Sequence, residues 1–261
     1  MQYVRTVTSK SIRLSYVKIA AISAGGHPGL AKDLYLYLIS RPEYQTPEQR
    51  QALMRRLREA LVKLVSVVGV PKPLEAIFCM AEVEREEDKD YSFSRYVISN
   101  HYLLCLFRFQ EGSEMLFESP DPPFAFGKDL GVSSVAHVLT LDSSEHWNSG
   151  PENRQRGRDW LATIYRHNDN RTAEMMAAHK DFRWLSIEIT YGLYLSDHSI
   201  LDGIDTELVV LSGIMLQNLK RETGWHLRGM RRIGVAKEDV VKVWELVSTP
   251  VDSVVGFVTT R

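Results

Sequence analysis

An all-α fold is predicted for this sequence by three observations. Apolar residues recur at helical spacing over most of the chain, and proline and glycine fall where helices should begin and end. Strand-like alternation is weak, its best candidate being the short run Val135 to Leu141.

In chain order, RLSYVKIAAISA and the stretch GGHPGLAKDLYLYLIS read as two packed helices with a glycine-rich turn between them. The second stops at Arg41-Pro42, because the residue before a proline is pushed out of the α region. Thr46-Pro47-Glu48-Gln49 supplies an N-cap threonine, a proline at the first helical position and a glutamine three residues after the cap. A long helix follows, with Leu53, Leu57, Ala60, Leu61 and Leu64 on one stripe. Arg50, Arg55, Arg56 and Arg58 fall mainly on the other face, read as solvated helix surface rather than a nucleic-acid patch. Val68-Gly69-Val70-Pro71 ends it, and the next helix, from Pro73, runs into a charged, solvated stretch at Glu84 to Asp90. From Gln110 to about Gly157, glycine, proline, serine and aspartate dominate, so regular structure should be sparse. Helical pattern resumes at Gly157 to His167 and again at Thr172 to Tyr194, before a turn near Ser196-Asp197-His198. The organisation expected is one domain over 1–261, with a helical half at about 11–109, an irregular connection at about 110–156 and a second helical half at about 157–261.

Composition removes several classes of function. The 261 residues hold 32 Lys plus Arg against 33 Asp plus Glu, and a net charge of −1 gives no reason to propose nucleic acid or an anionic membrane as partner. No apolar run approaches the roughly 20 residues needed to span a bilayer. The two cysteines, Cys79 and Cys105, lie in apolar runs and are too few for a disulfide framework, which points to a reducing, intracellular compartment. Arg5, Lys10, Arg13, Lys18 and Lys32 precede the first acid, Asp33, the composition of a mitochondrial transit peptide; packing of the first two helices argues for the cytoplasm instead.

Chemistry concentrates between Glu207 and Val247, read as two amphipathic helices joined at Ile233-Gly234-Val235. His226 sits there among apolar residues. Glu222, four residues earlier, shares its helix face, and Glu207 opens the helix leading into it, where negative charge suits a helix N-terminus. A carboxylate beside an imidazole fixes its tautomer, the arrangement used for proton transfer near neutral pH. Arg221 and its neighbouring arginines hold an anionic substrate or face water. Trp225 and the pair Tyr191 and Tyr194 are candidate pocket residues, although aromatics at helical spacing are more often core. A lone histidine on an apolar face is likewise more often a satisfied core residue. With one histidine and no H-x-x-x-H partner, no metal site is assigned.

Glu207, His226 nineteen residues later, the sequence LRGMRRIG and the acidic helix start Glu238-Asp239-Val240 together resemble the carboxymuconolactone decarboxylase and alkylhydroperoxidase-D-like (AhpD-like) family. RLREALVKLVSVVGVPKPLEAI and RGRDWLATIYRH resemble its longer eukaryotic, chiefly fungal, members. The resemblance reaches across roughly two thirds of the chain and implies an AhpD-like helical fold and assembly into a homo-oligomer. In the redox branch a C-x-x-C motif precedes the histidine; here those positions are Leu219 and Glu222, so a thiolate peroxide cycle cannot run at this site. The non-redox branch implies cofactor-free acid–base chemistry, as in a decarboxylase, isomerase or lyase, on a small organic acid or enolisable metabolite. Glu207 and His226 carry over by position; Glu222 is added from its spacing. The rival expectations are a peroxide-linked antioxidant using Cys79 and Cys105, and a non-catalytic binding or assembly module.

Overall fold

The computed structural model describes residues 10–92 and 151–248, and among these no residue is in a strand. Its helices are α1 (Lys10–Ala24), α2 (Ala31–Ile39), α3 (Pro47–Val68), α4 (Pro71–Ala81), α5 (Pro151–Tyr165), α6 (His167–Met175), α7 (Lys180–Trp184), α8 (Gly203–Leu216), α9 (Lys220–Arg232) and α10 (Lys237–Ser248). A π-helix, Leu185–Leu195, continues directly from α7. The Val135 to Leu141 run and Cys105 lie outside the described residues. Among those described, no helix is long and apolar enough to cross a membrane.

The buried heart of the fold is α8. Every residue from Asp205 to Ile214 is buried, and a helix apolar on all sides has to be surrounded by others. Its faces feed three clusters. Val209 joins Tyr16, Tyr35, Leu57 and Leu64 from α1, α2 and α3. Val210 and Ile214 join Leu161, Ile164, Tyr165, Ile187 and Tyr191 from α5 and the π-helix. Leu208 and Leu211 join Met230, Val240, Val243 and Val247 from α9 and α10.

Local signals fix most boundaries. Thr46 and Gln49 form the reciprocal capping box, with Pro47 at the first turn of α3. Gly69, at φ +77, ends that helix in a conformation that glycine adopts at little cost.

Several boundaries and surfaces depart from the sequence reading. α5 begins at Pro151, inside the stretch expected to be irregular, because Asn153 is fully buried against the π-helix and makes the extra turn worth forming. α4 stops at Ala81, and the acidic run beyond it is not simply solvated. Asp88, with no exposed surface, takes Arg50 Nε at 2.8 Å, and Asp90 takes Arg55 and Arg58 at 2.9 and 2.7 Å. The arginine face of α3 is therefore in large part a docking strip for this loop. Although burial opposes it, the bonds from Arg55 and Ser92 hold the Asp90 carboxyl down at about 2. The helix entering the His226 region breaks at Gln217 to Leu219, where Asn218 takes φ +56, so Glu207 and His226 lie on separate helices.

Candidate functional site

His226 is on the inner face of α9, 2 % exposed, and both ring nitrogens are engaged. Nδ1 lies 2.8 Å from Oε2 of Glu207 on α8, and Nε2 lies 3.1 Å from the hydroxyl of Tyr165, the last residue of α5. The Tyr191 hydroxyl, from the π-helix, donates to the Tyr165 oxygen at 3.0 Å. A carboxylate only accepts, which puts the proton of a neutral imidazole on Nδ1 and leaves Nε2 to accept from Tyr165. The chain of bonds thus has one direction, Tyr191 to Tyr165 to His226 to Glu207. Rings pack around it, with Tyr165 edge-on to Tyr191, Trp225 and His226 at centroid distances of 6.0, 5.4 and 5.6 Å.

Glu207 is wholly buried. The first turn of α8 starts earlier than expected, at Gly203, and its cap is Asp202, whose Oδ1 accepts from the Asp205 N–H at 2.8 Å. Glu207 consequently sits in the second turn, aimed at α9 rather than serving the helix end. Its other oxygen, Oε1, has no hydrogen-bond partner among the described residues, so His226 is the group that satisfies this carboxylate.

Tyr165 and Tyr191 also line a cavity of about 60 Å³, together with Leu161, Ile187 and Trp225, and with Arg183 and Ser186 among its partly exposed residues. Its described walls are mainly apolar, and its volume is well below the roughly 300–1,000 Å³ of ordinary small-molecule sites.

The π-helix sets where Tyr191 points. Asn153 Nδ2 donates to Glu188 O at 2.9 Å, and Arg156 donates to Gly192 O at 2.9 Å. At the far end Lys63, fully buried beside Glu59, donates to the carbonyls of Tyr194 and Asp197 at 2.8 and 2.6 Å. Gly157 and Gly192 allow the two backbones to meet: a Cβ on Gly157 would lie 2.8 Å from the Gly192 nitrogen. Such π segments concentrate at functional sites.

Of the residues singled out in the sequence, the structure brings Glu207, His226, Tyr191 and Trp225 together. Glu222 does not bond His226, whose nitrogens are occupied by Glu207 and Tyr165; it is partly exposed on the first turn of α9. Sharing a face gave Glu222 proximity, but the fully buried carboxylate on α8 is the one that needs the imidazole. Arg221 is exposed and lines no part of this cavity, and Tyr194 packs beside the cluster while offering its carbonyl to Lys63. Arg232, read with the other arginines as anion holder or solvent-facing, instead donates to Ile164 O and closes the end of α5. Tyr165, Arg183 and Lys63 went unread. Tyr165 stands 61 residues from His226, and nothing in local spacing links them.

Cys79 belongs to α4, where its thiol contacts Glu75, and burial together with that carboxylate pushes it up, away from the reactive thiolate. Among the described residues no group of three or more histidine, cysteine or acidic side chains is arranged to hold a metal ion. Compared with models of known families, with curated proteins and with solved structures, the chain matches none.

Proposed function

We propose that this protein is a cofactor-free acid–base enzyme that moves a proton to or from carbon of a small enolisable organic acid. The observation that carries the reading is the directed chain Tyr191, Tyr165, His226, Glu207, whose two tyrosines are among the residues lining a cavity. A proton taken up by the Tyr191 oxygen displaces that hydroxyl's own proton to Tyr165, and Tyr165 passes its proton to Nε2. The imidazolium so formed is stabilised by Glu207, in water-poor surroundings where the attraction is strong. Reversal returns the proton to another carbon. The reacting group touching substrate is a tyrosine, and the histidine acts through it.

The residues shared with the carboxymuconolactone decarboxylase and AhpD-like family, Glu207, His226 and the Met230 to Gly234 turn, support membership of that family in a non-redox form. Replacement of its thiol positions by Leu219 and Glu222 supports the same form.

A second reading has its own observation. A histidine 2 % exposed with both nitrogens bonded suits a binding or assembly module that has lost catalysis. Turnover separates the two. Hydrogen–deuterium exchange into candidate organic acids should fall 100-fold or more in Tyr191→Phe and His226→Gln, within the 10² to 10⁴ range of acid–base catalysis. Circular dichroism checks that both variants fold. Exchange equal to wild type in both would end the enzyme reading and leave the module.

A further inference from the structure

Resting on the proton-transfer reading of this site, we propose that the substrate is a short oxo monocarboxylate whose carboxylate is held by Arg183 and retained, making the reaction an isomerisation.

Among the described residues that line the cavity, Arg183 is the sole charged side chain. Among the described residues its guanidinium makes no ion pair or hydrogen bond, as is also true of Arg221 and Arg228, which do not line this cavity, whereas Arg50, Arg55, Arg58, Arg154 and Arg156 are all engaged. A planar fork of donors left open beside an apolar, aromatic-walled space is complementary to a carboxylate. Arg183 and Tyr191 stand eight residues apart on one continuous helical stretch, and both line the cavity.

This placement decides between the reaction types. Loss of CO₂ requires the carboxylate to shed its negative charge into the departing C–C bond, and an arginine paired with it stabilises the charge where it stands. Proton abstraction from carbon at the tyrosine end asks nothing of the carboxylate. There the C–H bond breaks, its proton enters the Tyr191 to His226 chain, and the electron pair forms the C=C of an enolate. Return of the proton to oxygen or to another carbon completes a tautomer shift with no change of oxidation state.

The test uses the full chain with acetoacetate and its methyl ester in D₂O, followed by proton NMR for C–H exchange and for acetone. Calorimetric titration of acetoacetate gives binding. Wild type should exchange the acid at least 10-fold faster than the ester relative to enzyme-free rates, without matching acetone formation. Arg183→Met should lose at least 10-fold more on the acid than on the ester. An Arg183→Met protein that exchanges the acid as fast as wild type overturns the carboxylate assignment and leaves the proton-transfer reading intact. So does an ester as good as the acid, and acetone released at the exchange rate overturns retention. Arg183-dependent binding with no exchange of either probe sustains the recognition and refutes proton transfer. Acetoacetate that neither binds nor exchanges refutes both.

Discussion

Replacing Gly157 by alanine asks whether α5 and the π-helix are held apart by nothing but backbone. The added methyl would lie 2.6 Å from Ile187 O, 2.8 Å from Gly192 N and 2.9 Å from Gly192 Cα. None of these atoms can swing aside like a side-chain tip, so the helices must part by most of an ångström to regain ordinary contact. Overpacking of this kind costs roughly 1–3 kcal/mol. Parting the helices also stretches the Asn153 bond to Glu188 O and the Arg156 bond to Gly192 O, each worth about 1 kcal/mol. Alanine recovers about 0.5–1 kcal/mol of helix preference. The expected net loss is about 3 kcal/mol, a drop in Tm of roughly 6–12 °C for a chain of this size. Urea denaturation and calorimetry read it directly. Gly224→Ala is the internal control, since only the Arg228 guanidinium tip lies nearby, at 3.8 Å, and the helix-preference gain should stand alone. The reasoning fails if Gly157→Ala matches wild type, or if the two substitutions shift stability in the same direction.

Two further outcomes concern charge. Arg50→Met leaves Asp88 buried and unpaired and should cost about 3 kcal/mol or more, while the double change with Asp88→Leu should recover most of it; a double variant no better than the single would refute the pairing argument. Burial first, then Asp202, lift the Asp205 carboxyl to about 6 against the pull of Arg13. A raised acid stabilises the fold below its unfolded value near 3.8 and loses that contribution as pH rises through about 6, here about 3 kcal/mol. Asp205→Asn should therefore gain on wild type between pH 4 and pH 7 in urea midpoints, and parallel curves would contradict this.

The helices were legible in the sequence because their signals are local. The Thr46 to Gln49 box and the glycines at 69 and 234 need only a few neighbours to be understood. Glu207 and His226 were also singled out, first as ionisable groups set among apolar residues and then more firmly through a resemblance. The partners that give His226 its meaning were out of reach, because Tyr165 and Tyr191 come to it through packing of α5 and the π-helix on α8. LSIEITYGLYL hides its π winding, being apolar on nearly every side and so showing no contrast between one helical period and another. The arginines of α3 misled for a related reason. An exposed face and a face covered by a later loop read alike until the loop is placed.

The π winding makes the site a matter of register. A segment wound one residue wide keeps its ends fixed while everything inside is turned. Deleting a single residue between Ile187 and Tyr191 would let the stretch relax toward ordinary α-helix, with Lys63 still gripping the far end. The Tyr191 hydroxyl would swing by roughly 100° and abandon Tyr165, while the buried surface below stayed much the same. A lineage could thus break or restore this chain of bonds by one codon's insertion or loss, without designing a new fold.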